Sequence, residues 1–256
     1  MKLAEYGQTA AYEVAFWMQG LANPSYPVAQ LGGLTQDLTR KLRALAILGL
    51  VAAADGDCFH HNLIRSGRVR RLYLERMRLF GQTQDHQFCS GRYEPLLDAI
   101  AAGDWNLARQ IVELSPAEFR EGHEYEDDYC FAQIVSCWSV DPPREQEVPE
   151  FLGRFAAYAE GRPNPRLTLC RALQGGEQAA FDEALAGSLD ARDLEIEAAK
   201  TRGQLEEPHI VALRRVSVEA LAMLRLAERR GLRTESEYRY CPSLARAPIQ
   251  TPLPEE

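Results

Sequence analysis

Residues 34–51 read LTQDLTRKLRALAILGLV, and along them Leu34, Leu38, Leu42, Leu45, Leu48 and Val51 recur at steps of three or four, with Ile47 beside the stripe. That spacing is the period of an α-helix, whereas a half-buried strand alternates every second residue. The apolar positions cover more than one face, as expected of a central, buried helix that follows Gly32-Gly33.

The same period extends outward in both directions. Upstream, Leu3, Tyr6, Ala10, Val14, Trp17 and Met18 mark one face of an amphipathic helix that Asn23-Pro24 ends. Downstream of an Asp55-Gly56-Asp57 turn, Arg68 to Phe80 predicts an arginine-rich helix with the stripe Val69, Leu72, Tyr73, Met77 and Phe80 and its charges in water. Two later stretches share one layout: Leu96 to Ile100, Gly103-Asp104, then Leu107 to Val112; and Leu167 to Leu173, Gly175-Gly176, then Ala179 to Leu185. Each reads as a helix, a glycine turn and a returning helix. Such αα-hairpins bury their apolar faces only by stacking on neighbours.

Between the two hairpins, helices are predicted from about Tyr125 to Val140, stopped by Asp141-Pro142-Pro143, and from Val148 to Ala159, stopped by Gly161-Arg162-Pro163. A last long helix is predicted from Pro208 to Arg230, with proline in its first turn and Gly231 just past its end. The tail from Tyr238 to Glu256 holds four prolines, so it should be extended, packed through Tyr238, Tyr240 and Leu244, and frayed at Glu255 and Glu256. The expected fold is an all-α bundle of stacked antiparallel hairpins with a proline-rich tail. It forms one domain over residues 1–256, or two lobes, 1–141 and 144–256, that meet at Pro142-Pro143.

The 256 residues are 46% apolar, enough to bury a substantial core, and their formal charge of −8 argues against general nucleic-acid binding, which needs a basic face. The longest apolar run, Ala44 to Ala54, is about half of the ~20 residues that cross a bilayer, and Glu5, Gln8, Thr9, Glu13 and Gln19 interrupt the N-terminal segment. These features predict a cytoplasmic protein without membrane contact. Its six cysteines include no Cys-x-x-Cys pair and read as free, buried thiols.

Catalytic motifs are absent: there is no nucleophile elbow, phosphate-binding glycine loop or dinucleotide fingerprint. Asp55, Asp57, His60 and His61 could ligate a divalent metal, and Cys58 lies near both histidines, but the spacing matches no standard site and Asp-Gly-Asp is a natural turn. His123-Glu124 lacks the second histidine of a metalloprotease helix, because position 127 is Asp. No catalytic residue, metal or cofactor is therefore expected.

Charge is distributed unevenly. Between Glu113 and Asp128 seven acids face one arginine, and between Arg40 and Arg78 nine bases face three acids. Two solvated faces that partly neutralise each other account for this, as does the preference of acids for a helix N-terminus. The alternative is an interface, because Tyr125, Tyr129 and Trp138 lie beside the acids, and aromatic residues concentrate at interface centres while charges steer encounter. Trp105 and Trp138, at helical spacing, are expected in the core.

The segment Glu237-Tyr238-Arg239-Tyr240-Cys241-Pro242-Ser243-Leu244-Ala245-Arg246-Ala247-Pro248 resembles the closing segment of a family of bacterial polymorphic-toxin immunity proteins, immunity family 49. The resemblance implies an all-α protein that stays in the producing cell and neutralises a toxin deployed against competitors. It brings no catalytic residues. Tyr240, Pro242, Leu244 and Arg246 carry the likeness, and a tail that seals the bundle accounts for them as well as a toxin contact does. The leading expectation is a non-enzymatic protein that occludes the active site of one cognate toxin. Glu121, Glu124, Tyr125, Glu126, Asp127 and Asp128 are the candidate contacts, imitating an anionic substrate if the toxin's site is basic. A helical-repeat scaffold and an enzyme whose site is assembled from distant residues are the rival readings. Homo-oligomerisation is open.

Overall fold

The structure, a computed structural model, describes residues 3–203 and 214–254. It is all-α, with ten α-helices and no strand among the described residues. The helices are α1 (Leu3–Ala22), α2 (Val28–Ala53), α3 (Gly56–Leu79), α4 (Glu94–Ala101), α5 (Trp105–Leu114), α6 (Glu126–Ser139), α7 (Val148–Ala159), α8 (Pro165–Gly175), α9 (Gln178–Thr201) and α10 (Val218–Arg229). Short 3-10 turns occupy His86–Phe88 and Ser243–Arg246. No helix among the described residues is long and apolar enough to cross a membrane.

Side-chain oxygens fix where four helices begin. Asp55 accepts from Cys58 N at the start of α3, Asp104 from Leu107 N at α5, Asn164 from Leu167 N at α8 and Ser217 from Ala220 N at α10. Each such cap contributes about 1 kcal/mol by satisfying an amide that the helix leaves unpaired. Between paired helices, Gly103 and Gly176 adopt φ of 77° and 70°, a left-handed conformation that glycine accepts without a Cβ penalty.

Packing is densest between α2 and α3, and α3 also meets α4 and α5, while α10 lies against α4. Helix α6 is enclosed beyond its first turn: every residue from Tyr129 to Ser139 is buried, including Trp138. Phe59, Phe131, Phe155 and Phe181 are fully buried, each worth ~1.5–3 kcal/mol in apolar surface removed from water.

Several boundaries differ from those expected. Helix α2 starts at Val28, so Gly32-Gly33 is not a turn; a Cβ on Gly32 would overlap the Asp85 carboxylate, and the glycine is needed for close approach to the 86–88 turn. Val51, expected to be buried, is 54% exposed. Helix α3 begins at Gly56, so the Asp55–His61 segment is a capped helix start and not a loop. Its arginines do not all stay in water: Arg70 is 3% exposed and donates to the carbonyls of Gln87, Phe88 and Cys89. Residues Pro208, Val211 and Leu213 lie outside the described residues, and the final helix begins only at Val218, after the Ser217 cap. The tail is less extended than expected, because Ser243–Arg246 turns into a 3-10 helix; Glu255 and Glu256 lie outside the described residues.

Candidate functional site

The acidic segment runs from the loop after α5 into the first turn of α6, where Glu126, Asp127 and Asp128 lie at the positive end of the helix dipole. Three of its carboxylates turn inward. Glu124 Oε2 accepts from Gly91 N at 2.7 Å and Ser90 Oγ at 3.4 Å, and its Oε1 accepts from Arg120 N at 3.1 Å. Glu126 pairs with Arg154 at 2.6 Å, and that guanidinium lies over the rings of Phe119 and Tyr129, 4.8 and 4.9 Å from their centroids. The Glu126 hydrogen bond holds the Arg154 pKa above its ordinary value.

Asp128 joins a larger network. Its Oδ1 accepts from Tyr93 OH and from Arg166 Nη1, both at 3.2 Å, and Arg166 also grips Glu219 of α10 through Nε and Nη2 at 2.9–3.2 Å. The guanidinium lies over both the Tyr93 and Phe131 rings, 5.4 and 5.3 Å from their centroids, and the two rings pack edge-on against each other. Burial raises the Asp128 pKa against the pull of Arg166. Burial also pulls Arg166 down, but Glu219, Tyr93 and Asp128 outweigh it and strengthen the cation. One side chain therefore ties together α6, α8, α10 and the start of α4.

The remaining members face out. Tyr125, the residue before α6, is 72% exposed, and Glu118 and Glu121 are exposed with no ion-pair or hydrogen-bond partner among the described residues. Asp127 accepts only from the backbone N–H of Asp128. Gly91, Arg92, Gly122, His123 and Tyr125, together with Glu124 and Asp128, border a depression of about 400 Å³ at this surface.

The cluster at the start of α3 serves a different purpose. Asp57 accepts from Gln250 N at 2.8 Å and Thr251 Oγ1 at 2.6 Å, His60 Nε2 lies 3.0 Å from Ala247 O, and His61 Nε2 lies 3.0 Å from Thr251 O. The Thr251 hydroxyl and the tail amides hold the Asp57 carboxyl below its ordinary range, while burial, helped by Arg225, lowers the His60 pKa. These residues clamp the tail. Cys58 takes another face of the helix, toward Gly49 and Asn62. Among the described residues no group of three His, Cys, Asp or Glu side chains is placed to hold a metal ion.

The tail is also anchored at its other end. Arg246 binds Glu228, Thr234 and the Glu235 carbonyl, Tyr240 OH donates to Asp193, Arg239 pairs with Asp190 and Asp193, and Cys241 is fully buried. Three of the four residues that carry the family likeness thus make inward contacts, since Leu244 packs beside Gly56 at the start of α3. The likeness itself extends well beyond the tail, because the family model described as Immunity protein 49 matches residues 34–245. The chain belongs to the Immunity protein 49 family. Comparison with curated proteins and with solved structures returned no match.

The match begins within α2 and ends in the 3-10 turn of the tail, so the Immunity protein 49 region includes the α6 network and the α3 side of the clamp, whereas the clamp's tail partners Ala247, Gln250 and Thr251 lie just past its end. Sequence reasoning missed Arg166, Tyr93 and Glu219 as partners of the acids. No local signal could have found them, because Arg166 lies 38 residues from Asp128 and 53 from Glu219.

Proposed function

We propose that this protein neutralises a cognate polymorphic toxin in the cytoplasm of the producing cell. It does so by binding the toxin without turnover and covering its active site with the face centred on Tyr125. Membership of the immunity family supports the function, and the exposure of Tyr125 beside the unpaired Glu121 and Asp127 carries the choice of face. A large aromatic in water beside charges that make no internal ion pair fits an interface centre with a steering rim. Glu124, Glu126 and Asp128 hold that face in shape through Gly91, Arg154 and Arg166.

The experiment is co-expression and binding with a candidate cognate toxin. Tyr125→Ala should weaken binding by at least ~2 kcal/mol, about thirtyfold, and Glu121→Lys with Asp127→Lys should mainly slow association. Titration against the toxin should end at equimolar protein. Protection by substoichiometric amounts, or unchanged binding by the folded triple variant, would refute the reading.

A further inference from the structure

Helix α2, helix α3 and the segment from Gln87 to Asp98 enclose a cavity of about 180 Å³ lined by Arg40, Arg43, Arg70 and Arg92 together with Thr35. Only two carboxylates line it with them, Glu94 and Asp98. Asp98 is already committed, accepting from Arg43 Nε at 2.7 Å and Ser66 Oγ at 2.6 Å. The Arg40 and Arg92 side chains have no ion-pair or hydrogen-bond partner among the described residues, and the Arg70 guanidinium bonds only to backbone carbonyls. Positive charge in this cavity exceeds negative charge by two.

The donors are also short of acceptors. Arg70 Nε, Arg92 Nε and Thr35 Oγ1 are buried without a hydrogen-bond partner, and both Arg70 and Thr35 are 97% buried by the 3% exposure each retains. Leaving such groups unmade costs more than an ordinary hydrogen bond contributes. Burial lowers the Arg70 pKa to about 10, the direction expected of a guanidinium enclosed without a committed counter-ion. An oxyanion would supply what is missing, since its oxygens only accept and match the guanidinium fork.

We infer that this cavity is a binding site for a phosphate-sized dianion, held by Arg40, Arg70 and Arg92 with the Thr35 hydroxyl. The twofold excess of positive charge favours a dianion over a single carboxylate. The volume, several times the ~30 Å³ share of a water molecule, accommodates a phosphoryl group with a few waters. Free inorganic phosphate and the terminal group of a phosphomonoester present the same chemistry. The site is separate from the Tyr125 proposal, although Arg92 also borders the depression beside Tyr125.

Calorimetric titration of the full chain with inorganic phosphate, glycerol phosphate and acetate, at constant ionic strength and neutral pH, tests the assignment. The expected result is saturable phosphate binding that Arg92→Gln and Arg40→Gln each weaken about tenfold. Arg109→Gln, which removes a guanidinium paired with Glu113 on α5, should leave it unchanged. Equal binding of glycerol phosphate would identify a phosphomonoester as the ligand, and binding of phosphate alone would identify the free ion. Arg40 is exposed, so Arg40→Gln keeps the test open if Arg92→Gln compromises folding. No saturable phosphate binding by the folded protein, acetate binding as tight as phosphate, or undiminished binding in a folded Arg40→Gln variant would overturn it.

Discussion

Arg166→Met removes the one cation shared by Asp128 and Glu219 while keeping most of the side-chain stem. Arg166 retains 38% of its side-chain exposure and each carboxylate 29%, so the network is neither a surface pair nor a dry one. Exposed pairs contribute ~0–1 kcal/mol and breaking a buried pair from one side costs ~3–5 kcal/mol, which places this change at about 1–3 kcal/mol at neutral pH. For a chain of this size that is a fall of several degrees in Tm, at ~2–4 °C per kcal/mol. The pH dependence gives a sharper signature. Burial raises Asp128 and Arg166 opposes that rise, so without Arg166 the native carboxyl goes higher still. The variant's native state then binds a proton that the unfolded chain, with Asp near ~3.9, releases. Its stability must therefore fall as pH rises through that window and recover as pH drops back through it. Urea denaturation followed by circular dichroism at pH 7 and pH 5 should show the deficit shrinking at the lower pH. A deficit below ~0.5 kcal/mol at pH 7, or one that grows as pH falls, would refute the network as described.

Asp57→Ala should free the tail, raising hydrogen exchange over residues 247–251 while α6 stays protected, because two of the tail's anchors are the Asp57 oxygens. The depressed Asp57 pKa means that this clamp is fully formed above the unfolded value of ~3.9 and is lost as pH falls through the lower folded value, which exchange measured at pH 5 and pH 3 would detect. Cys58, the only half-buried thiol, should react first with a thiol reagent. Burial pushes Cys130 and Cys241 up to about 12 and Cys137 to about 11, so these should react only on unfolding, when all six thiols become titratable. Gly32→Ala should cost ~1–3 kcal/mol in denaturant melts, either as overlap with Asp85 or by displacing the Asp85 carboxylate from Gln87 N, which it caps at 2.8 Å.

Periodicity made α1 and α2 legible, because an apolar stripe at the helical step records which face is buried without reference to partners, and the stops at Asp141-Pro142-Pro143 and Gly161-Arg162-Pro163 marked where α6 and α7 end. It failed at the start of α3 for a physical reason. Asp55, Asp57, His60 and His61 are polar and close to a glycine, which locally favours a turn; the helix starts here because Asp55 caps it and the other three bind a tail nearly two hundred residues away. The same limit applies to charge. A count of arginines predicts a solvated face, yet Arg43, Arg70 and Arg76 donate to acceptors on other elements, among them the Asp98 carboxylate and the Leu21 carbonyl. Their charge is visible in the sequence and their partners are not.

That limit reshapes the candidate site as well. Five acids from Glu121 to Asp128 looked alike in sequence, but the fold neutralises Glu126 and Asp128 with Arg154 and Arg166 and turns Glu124 toward Gly91, leaving Tyr125 between Glu121 and Asp127. If this is the docking face, its free charge is small and its central contact is aromatic. Charges at a rim act on encounter, whereas a buried aromatic anchor acts on departure. Raising salt should therefore slow toxin association modestly and leave the dissociation rate nearly unchanged, while Tyr125→Ala should speed dissociation at every salt concentration. Stopped-flow or surface-plasmon measurements at low and high salt separate the two rates. A steep salt dependence of dissociation would mean that buried ion pairs hold the complex. Glu124, Glu126 or Asp128 would then have to leave its internal partner on binding, and Arg154 or Arg166 would become the residue to follow.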